Sequence, residues 1–223
     1  MPSRGGVVLA PSLLSADPAD LASAIRAAEE GGAGALHLDV MDGHFVPNIA
    51  FGPSWARAIR RRTALPLDVH LMVEHPLRFV PSFAAIGQST LVIHAEASDP
   101  IGPTLAAIHA AGARAGLAVR PRTPLGAAEP WLPDLDELMV MGVEPGFSGQ
   151  TFLPGTLERV REAVRRSEAL PSSPVVAIDG GVTEPIARDA TAAGARFLVC
   201  GQSVYGAADP VAALRSLRRA VEG

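Results

Sequence analysis

The sequence predicts an α/β fold, a single-domain (β/α)8 TIM barrel over residues 1–223, on three observations. Short apolar runs recur eight times, at a spacing near the length of one strand-helix unit. Between them lie segments rich in Ala, Glu and Arg with helical spacing, so strand and helix are expected to alternate throughout. About 220 residues suit eight such units, and no GxGxxG motif follows the first run, which favours the closed barrel over an open doubly wound sheet.

The eight apolar runs are the predicted strands. In chain order they cover residues 7–12, 35–41, 65–72, 90–94, 115–119, 138–143, 175–179 and 196–200. Several of the intervening helices are predicted to begin at an aspartate N-cap followed by proline, since Asp accepts hydrogen bonds from first-turn amides and the first turn tolerates proline. These pairs are Asp17-Pro18, Asp99-Pro100 and Asp209-Pro210.

Composition and charge exclude several classes of function. The formal net charge of −4 gives no basic footprint, and no apolar run approaches the roughly 20 residues needed to cross a bilayer, so we expect neither nucleic acid nor a membrane as partner. All 19 cationic side chains are arginine, which excludes Schiff-base aldolases, pyridoxal-phosphate enzymes and P-loop nucleotidases because these need a lysine. Cys200 is the only cysteine, so an intramolecular disulfide is impossible and a cytoplasmic location is expected.

Four polar residues lie at the carboxyl ends of three predicted strands: His37 and Asp39, His70, and Asp179. His37 and Asp39 are two apart, so on a strand they project from the same face. Ligands of such barrels bind where these strand ends meet. Two imidazoles and two carboxylates predict a site for one divalent metal ion, Zn²⁺, Fe²⁺, Mn²⁺ or Co²⁺, rather than Ca²⁺ or Mg²⁺. The alternative, hydrogen-bonded core histidines beside helix-capping aspartates, would leave two carboxylates on the axis without a cation, at a cost of several kcal/mol.

The same alternation separates inward-facing from outward-facing positions along the strands. Asp68 would face the axis one layer below His70 as a supporting carboxylate, and Met41, Met72 and Met141 would form an apolar layer over the metal site. A thioether adds bulk without an exchangeable proton, so the methionines could confine a reactive intermediate without giving it a proton; plain core filling is the alternative. The residues expected instead to pack under helices are Leu38, Val40, Leu71, Val140 and Ile178.

Glycine-rich loops follow the sixth, seventh and eighth predicted strands, at residues 146–150, Gly180-Gly181 and 201–203. Backbone N–H groups in such loops bind a dianion without lysine, and loops seven and eight are the usual phosphate position in these barrels.

A phosphate site beside a metal and two carboxylates predicts a phosphorylated ketose as substrate. Asp39 and Asp179 could flank it from opposite faces, one removing and one returning a proton, which inverts a stereocentre. A metal-dependent retro-aldolase and a non-catalytic sugar-phosphate sensor are the competing functions.

Long motifs spread over nearly the whole chain resemble the ribulose-phosphate 3-epimerase family. They are PSLLSAD at 11–17, HLDVMDGHFVPN at 37–48, DVHLMV at 68–73, IHAEA at 93–97, VEPGFSGQ at 143–150 and IDGGV at 178–182. The resemblance implies a (β/α)8 enzyme of the pentose phosphate pathway that interconverts D-ribulose 5-phosphate and D-xylulose 5-phosphate. It also implies one divalent metal ion per subunit and a homo-oligomer, either a dimer or a hexamer.

The family pattern also implies roles for individual residues of this chain. His37, Asp39, His70 and Asp179 match its metal ligands, and Asp39 and Asp179 match its acid/base pair. Ser12 and His70 match its substrate contacts. The positions that match its phosphate and sugar contacts are Gly146, Phe147, Ser148, Gly149, Gly180, Gly181, Gly201 and Gln202.

Some positions depart from the family pattern. Gly142 stands where threonine or serine is usual, Ser148 where glycine is usual, Ala177 where glutamate is one usual residue, and Gln202-Ser203 where the family has Ser-Ala. These changes leave the implied metal ligands and acid/base pair intact but alter the shape expected at the phosphate end of the pocket. The nearest alternative substrate is therefore a hexulose 6-phosphate such as allulose 6-phosphate.

Two further features each have two interpretations. His94 and Glu96 end the fourth predicted strand, and they either reach the rim of the pocket or form a plain hydrogen-bonded pair at the strand end. The loop from Gly43 to Gly52 is long enough to act partly as a lid, and the alternative is an ordered structural loop.

Overall fold

Eight parallel strands close into a barrel in the computed structural model, which describes residues 6–168, 170 and 172–223. Residues 1–5 of the predicted domain lie outside the described residues. A ninth, antiparallel strand lies beside the barrel. The strands are β1 (Val8–Pro11), β2 (Leu36–Asp42), β3 (Ile49–Ala50), β4 (Leu67–Met72), β5 (Ser89–His94), β6 (Arg114–Val119), β7 (Glu137–Met141), β8 (Val175–Asp179) and β9 (Phe197–Cys200).

Hydrogen bonding orders the sheet β1-β9-β8-β7-β6-β5-β4-β2-β3, with β3 antiparallel to β2. The barrel closes between β1 and β2, where Ser12 forms a parallel bridge with His37. The amide of Gly34 also donates to the carbonyl of Leu9 at 3.0 Å across this seam. The predicted (β/α)8 barrel is therefore confirmed. Because Ser12 and His37 are both predicted site residues, closure of the barrel itself brings part of the site together.

Helices separate most of the strands. Those in the described residues are α1 (Leu21–Glu30), α2 (Pro53–Arg60), α3 (Val80–Ala84), α4 (Ile101–Ala110), α5 (Thr156–Glu168), α6 (Glu184–Ala192), α7 (Gln202–Tyr205) and α8 (Pro210–Glu222). Among them, no helix has both the length and the apolar sequence needed to cross a bilayer.

The aspartate N-cap prediction is confirmed at one helix and wrong at two. Asp209 caps α8 by accepting a hydrogen bond from a first-turn amide at 3.0 Å. Helix α1 instead begins after Asp20, which accepts from a first-turn amide at 3.1 Å, while Asp17 closes a tight turn before it. The carboxylate of Asp99 is bonded to a neighbouring loop rather than to α4. An Asp-Pro pair thus marks a turn as readily as a helix start, since Asp accepts from nearby amides in both.

The alternation of strand and helix fails between β6 and β7. This connection contains two short 3-10 helices, Leu125–Ala127 and Glu129–Asp134. Four prolines lie between residues 121 and 133, and each removes an amide donor that an α-helix would need. The prediction of alternation throughout is therefore wrong at this position, and the barrel wall is covered here by a less regular segment.

Side chains alternate across the barrel wall as the sequence predicted. The five residues expected to pack under helices, Leu38, Val40, Leu71, Val140 and Ile178, all belong to the core between sheet and helices. The core on the barrel axis is separate and contains Val92, Ala118, Met139, Met141, Ala177 and Phe197 among others. Asp179 is in register with Met141 and Val199 of this inner set, and His37 lies two residues after Ala35 of the same set, so both face the axis.

Glu137 is an unusual member of the barrel interior. It lies on β7 two residues before Met139, is 1% exposed, and neither of its carboxylate oxygens has a hydrogen-bond partner. Burial, and after it the negative charge of Asp68, raises the pKa of Glu137 well above its ordinary value. The folded protein therefore holds this side chain neutral at pH values where an unfolded chain would ionise it.

We expect Glu137→Gln to raise the Tm, and the gain to grow with pH. Because the pKa of Glu137 is raised on folding, the folded chain binds more protons than the unfolded chain above the unfolded pKa of about 4.3. Stability is therefore lost as the pH rises from there to the folded pKa, and the variant removes that loss. Thermal unfolding should show a gain of roughly 3 °C or more at pH 8 and little at pH 4. A gain independent of pH, or one matched by the exposed control Glu30→Gln, would contradict this assignment.

Candidate metal centre and active site

The four residues predicted as metal ligands lie in one cluster at the carboxyl ends of the strands. His37 and Asp39 are on β2, His70 is on β4 and Asp179 ends β8. One ligand atom from each lies within 4.8 Å of all the others. His37 Nε2 is 3.3 Å from Asp39 Oδ1 and 3.8 Å from Asp179 Oδ2. His70 Nδ1 is 3.6 Å and 3.3 Å from the same two oxygens, so two imidazoles and two carboxylates surround one point.

The register of the barrel explains this convergence. Asp39 and His70 are direct partners across the adjacent strands β2 and β4. Asp179 arrives from β8, which is separated from β2 by β9 and β1. The two carboxylates therefore enter the mouth of the barrel from different sides of its axis, with the histidine rings behind them.

Asp68 orients the ring of His37. Asp68 Oδ2 lies 2.7 Å from His37 Nδ1, so Nδ1 carries a proton and donates a hydrogen bond to the carboxylate. The other ring nitrogen of His37, Nε2, is thereby directed at Asp39 and Asp179. Both side chains are fully buried, and Asp68 lies one layer below His70, at the position that the alternation predicted.

Electrostatic coupling within the cluster keeps Asp39 ionised. Ser12 Oγ donates a hydrogen bond to Asp39 Oδ2 at 2.6 Å. Burial by itself favours the neutral acid, but the charge and hydrogen bond of His37 outweigh it, and the pKa of Asp39 lies well below its ordinary value. Burial likewise acts to lower the pKa of His37, but Asp39 and then Asp68 raise it well above its ordinary value. A cation at this point would take over the stabilising role of that proton.

His70 supplies the observation that best tests whether a metal fits. Its Nδ1 is buried and has no hydrogen-bond partner, although it faces the two carboxylates. Buried nitrogens are seldom left unsatisfied in folded proteins. The mixed nitrogen and oxygen donors suit Zn²⁺ and the other borderline divalent ions. The residues present therefore fit one such ion.

His94 and Glu96 form a hydrogen-bonded pair behind the cluster rather than at the pocket rim. His94 is fully buried, its Nε2 lies 2.8 Å from His70 Nε2, and its Nδ1 lies 3.0 Å from Glu96 Oε2. Burial lowers the pKa of His94 to about 4. Burial opposes ionisation of Glu96, but its hydrogen bond with His94 is the main cause that lowers its pKa, to about 2. A neutral imidazole therefore lies between an ionised carboxylate and His70.

A cavity of about 530 Å³ opens above the cluster. Asp39, Asp179, Met41, Met72 and Met141 line it, so the methionines lie beside the carboxylates. Its further lining includes Ser12, Gly146, Phe147, Ser148, Gly149, Gly180, Gly181, Gly201 and Gln202. His70 is the one residue among the sequence-predicted substrate contacts that does not line the cavity, because its ring is fully buried behind the aspartates.

The glycine loops pack tightly at the far side of this cavity. Gly180 and Gly181 have φ angles of 102° and 68°, which favour glycine. Gly142 has no room for a side chain, since a Cβ would lie 2.5 Å from the carbonyl oxygen of Gly180 and 2.9 Å from the Phe152 ring. The departure from the family pattern at Gly142 therefore accompanies a close approach of the Gly180 backbone and the Phe152 ring.

Gln202 is the other departure that affects the cavity. It begins α7, and its side chain is folded back along that helix toward Gly206, where an added Cβ would collide with the Gln202 amide group. The residue therefore lines the cavity without extending its amide group across it.

The loop from Gly43 to Gly52 is tied to the rest of the site. Val46 is 2% exposed, and Asn48 Nδ2 donates to the carbonyl oxygen of Gly146 at 2.8 Å. Phe45 packs on His94 with ring centroids 4.8 Å apart. These contacts, together with the short strand β3, indicate an ordered structural loop. The loop connects β2 to the glycine loop after β7.

Comparisons with known proteins are consistent with this geometry. Residues 8–205 match the family model described as the ribulose-phosphate 3 epimerase family. Ribulose-phosphate 3-epimerase of Mycobacterium tuberculosis (strain ATCC 25618 / H37Rv) is 45% identical over 218 residues, covering 97% of this chain and 94% of the relative. The Bacillus subtilis (strain 168) enzyme of that name is 43% identical over 213 residues, covering 95% and 98%.

Solved structures share the fold at low sequence identity. KGPDC from Streptococcus mutans superposes with a TM-score of 0.72 at 14% identity, over 97% of each chain. Orotidine 5'-phosphate decarboxylase from Pyrococcus horikoshii OT3 gives 0.71 at 13% identity, over 97% of this chain and 100% of that one. At such identities the likeness supports the barrel and nothing finer.

Proposed function

This chain belongs to the ribulose-phosphate 3 epimerase family, and we propose that it interconverts D-ribulose 5-phosphate and D-xylulose 5-phosphate by inverting C3. We place the reaction in the pentose phosphate pathway and in the cytoplasm. The observation that carries the proposal is the pair of carboxylates, Asp39 and Asp179, entering one cavity from different sides of the barrel axis. A retro-aldolase needs only one general base, and a sensor gains nothing from burying both acids.

One divalent ion per subunit, Zn²⁺, Fe²⁺, Mn²⁺ or Co²⁺, would be held by His37 Nε2, Asp39, His70 Nδ1 and Asp179. When bound, it supplies positive charge that lowers the energy of the enediolate. Asp68 contributes by fixing the protonated nitrogen of His37, and the buried, unpartnered Nδ1 of His70 supports its role as a ligand.

Asp39 and Asp179 would exchange the proton at C3. One carboxylate removes the proton from C3 while the electron pair of the C–H bond shifts toward the C2 carbonyl, giving the enediolate. The other carboxyl group then delivers a proton to the opposite face of C3, so the configuration is inverted and no net proton is consumed. Ser12 and His37 keep Asp39 in the ionised form, which suits it to act as the base in one direction.

The remaining lining residues would bind and enclose the sugar phosphate. Phosphate would lie against the backbone amides of the three glycine loops, at Gly146–Gly149, Gly180-Gly181 and Gly201-Gln202. Ser12 would contact the sugar, and Met41, Met72 and Met141 would cover the enediolate without offering it a proton. His70 would act on the substrate through the metal, since its ring does not reach the cavity.

We also propose that the chain is a homo-oligomer, a dimer or a hexamer. Ile49 is 81% exposed and Trp55 47% exposed, and Phe51 packs edge-on against Trp55, so apolar side chains are exposed near β3. Light scattering that reports a monomer at micromolar concentration would contradict this assembly.

Solvent exchange tests the proposed reaction directly. Purified protein supplied with Mn²⁺ or Zn²⁺ is incubated with D-ribulose 5-phosphate in deuterium oxide, and the products are analysed by NMR. We expect xylulose 5-phosphate with deuterium at C3, because the proton removed from one face is not the one returned to the other. Binding without exchange would favour the sensor, and cleavage products would favour the aldolase.

Allulose 6-phosphate is assayed in parallel because Gln202 replaces the usual serine at the phosphate end. The proposal predicts a higher kcat/KM for the pentulose phosphate. A clear preference for the hexulose phosphate would move the assignment to that substrate and leave the epimerase chemistry in place.

A further inference from the structure

A line of hydrogen bonds leads from Glu96 through His94 to His70, and neither of the first two residues lines the cavity. Glu96 Oε2 lies 3.0 Å from His94 Nδ1, and His94 Nε2 lies 2.8 Å from His70 Nε2. The two imidazole planes are 22° apart with centroids 4.9 Å apart. At that separation, a 2.8 Å contact between nitrogens means that the rings lie nearly edge to edge, as an N–H to N hydrogen bond requires.

The positions of the protons along this line follow from the partners. Two ring nitrogens 2.8 Å apart must share one proton, since two lone pairs or two N–H groups would repel each other. The carboxylate of Glu96 accepts only, so His94 Nδ1 carries a proton and His94 Nε2 is the acceptor. The shared proton therefore belongs to His70 Nε2. The remaining nitrogen of His70, Nδ1, is left with a lone pair that faces Asp39 and Asp179.

We propose that Glu96 and His94 are positioning residues that fix the tautomer of His70, so that its Nδ1 is the atom presented to the metal. The inference rests on the proposed function in one respect, namely that a divalent ion is held beside His70. Asp68 does the same for His37 through a single hydrogen bond, so the two histidine ligands are oriented by different devices.

The opposite tautomer is disfavoured by the surroundings of Glu96. With the proton on His70 Nδ1, His94 would have to donate from Nε2 and would turn a bare Nδ1 toward Glu96 Oε2. That contact would need a protonated Glu96. The other oxygen of this carboxylate, Oε1, already accepts from the backbone amide of Arg120 at 2.9 Å, and the hydrogen bonds to Glu96 lower its pKa to about 2 against the effect of burial.

Phe45 and Arg120 hold His94 in place. The Phe45 ring packs on His94 with centroids 4.8 Å apart. The Arg120 guanidinium lies over the Phe45 ring, 4.2 Å from its centroid, and donates to the Phe45 carbonyl oxygen at 3.0 Å. The cation and the ring attract each other. The loop after β2 therefore packs on His94 and is itself held by the residue that follows β6, so the orientation of His94 is set by packing as well as by hydrogen bonds.

The test compares variants that keep or remove the acceptor for the His70 proton. Glu96→Gln gives His94 Nδ1 an amide partner that can donate or accept, His94→Leu removes the acceptor, and His94→Gln keeps a carbonyl oxygen that can accept from His70 Nε2. The matched control is Asp99→Asn, because Asp99 forms a comparable 3.0 Å pair with His75 outside the cavity. Zn²⁺ affinity is measured by competition with a chromophoric chelator, and circular dichroism verifies that each variant is folded.

We expect His94→Leu and Glu96→Gln to weaken Zn²⁺ binding by about 10- to 100-fold, and His94→Gln by less than His94→Leu. Asp99→Asn should bind as the unmodified protein does. Equal affinities for His94→Leu and the unmodified protein, or equal losses for His94→Leu and His94→Gln, would overturn the proposal.

NMR of the ¹⁵N-labelled protein reads the tautomer itself. In the zinc-loaded protein, the His70 proton should be on Nε2, with a ¹⁵N–¹⁵N coupling across the hydrogen bond to His94. A His70 proton on Nδ1 would overturn the inference. If the unmodified protein binds no Zn²⁺, the proposed metal dependence fails separately. The metal-free protein, studied at a pH where His70 is neutral, then decides the tautomer on its own.

Discussion

Asp39→Asn and Asp179→Asn are each expected to lower kcat for epimerisation by more than about a thousandfold. An amide cannot accept the C3 proton, and each substitution also removes one of two negative charges facing the metal position. The Asn side chain has nearly the shape of Asp, so the Ser12 contact of residue 39 and the fold should survive. Initial rates in a coupled assay measure the loss.

Solvent exchange separates the two roles further. Because Asp39 and Asp179 enter from different sides of the axis, each variant retains a base for one face only. Residual deuterium exchange should be confined to one epimer in Asp39→Asn and to the other epimer in Asp179→Asn. Asp189→Asn on α6, at a residue that does not line the cavity, serves as the control and should leave kcat unchanged. Full activity in either active-site variant would remove that residue from the mechanism.

Removal of the metal is expected to have an effect of similar size. Protein treated with a strong chelator should lose more than about a thousandfold in kcat, since the enediolate charge would then lack its counter-ion. Zn²⁺, Mn²⁺, Co²⁺ or anaerobic Fe²⁺ should restore the activity, whereas Ca²⁺ and Mg²⁺ should not, because both imidazoles are poor ligands for them. Unchanged activity in protein verified as metal-free by elemental analysis would contradict the metal requirement.

The metal affinity should also fall with decreasing pH. In the absence of metal, Asp39 and Asp68 outweigh burial and raise the pKa of His37 well above its ordinary value, and the nearby carboxylates of Asp179 and Asp39 raise the pKa of His70 against the effect of burial. Protons therefore compete with the cation for Nε2 of His37 and Nδ1 of His70, and they win as the pH falls through these raised values.

Most of the barrel could be predicted from the sequence because the patterns that indicate strands and their inward faces are local. Alternating apolar positions on each strand separated Leu38 from His37 and Ile178 from Asp179, and both separations hold in the structure. The polar residues at strand ends could be grouped because every parallel strand of a barrel ends at the same face. These inferences need no knowledge of how distant segments pack.

The errors in the fold arise where a local pattern is compatible with more than one backbone conformation. Asp17 looks like a helix cap in the sequence, but its carboxylate closes a turn and α1 begins after Asp20. The prediction of eight full strand-helix units was wrong between β6 and β7. The four prolines in residues 121–133 disfavour an α-helix there, and the segment forms 3-10 helices instead.

The environment of His70 shows a different limit, because it depends on how distant segments pack. The sequence placed His94 and Glu96 at a strand end, but only the register of β4 with β5 brings His94 Nε2 to 2.8 Å from His70 Nε2. The full burial of His70 likewise follows from the two aspartates that lie between it and the cavity. Contacts of this kind depend on ring orientation, which periodicity does not specify.

Anomalous diffraction from crystals grown with Zn²⁺ tests the central claim most directly. The account predicts one strong peak at the zinc absorption edge, about 2.0–2.2 Å from His37 Nε2, His70 Nδ1 and a carboxylate oxygen of each of Asp39 and Asp179. A metal peak elsewhere, or Asp39 and Asp179 oxygens that do not share the ion, would contradict it.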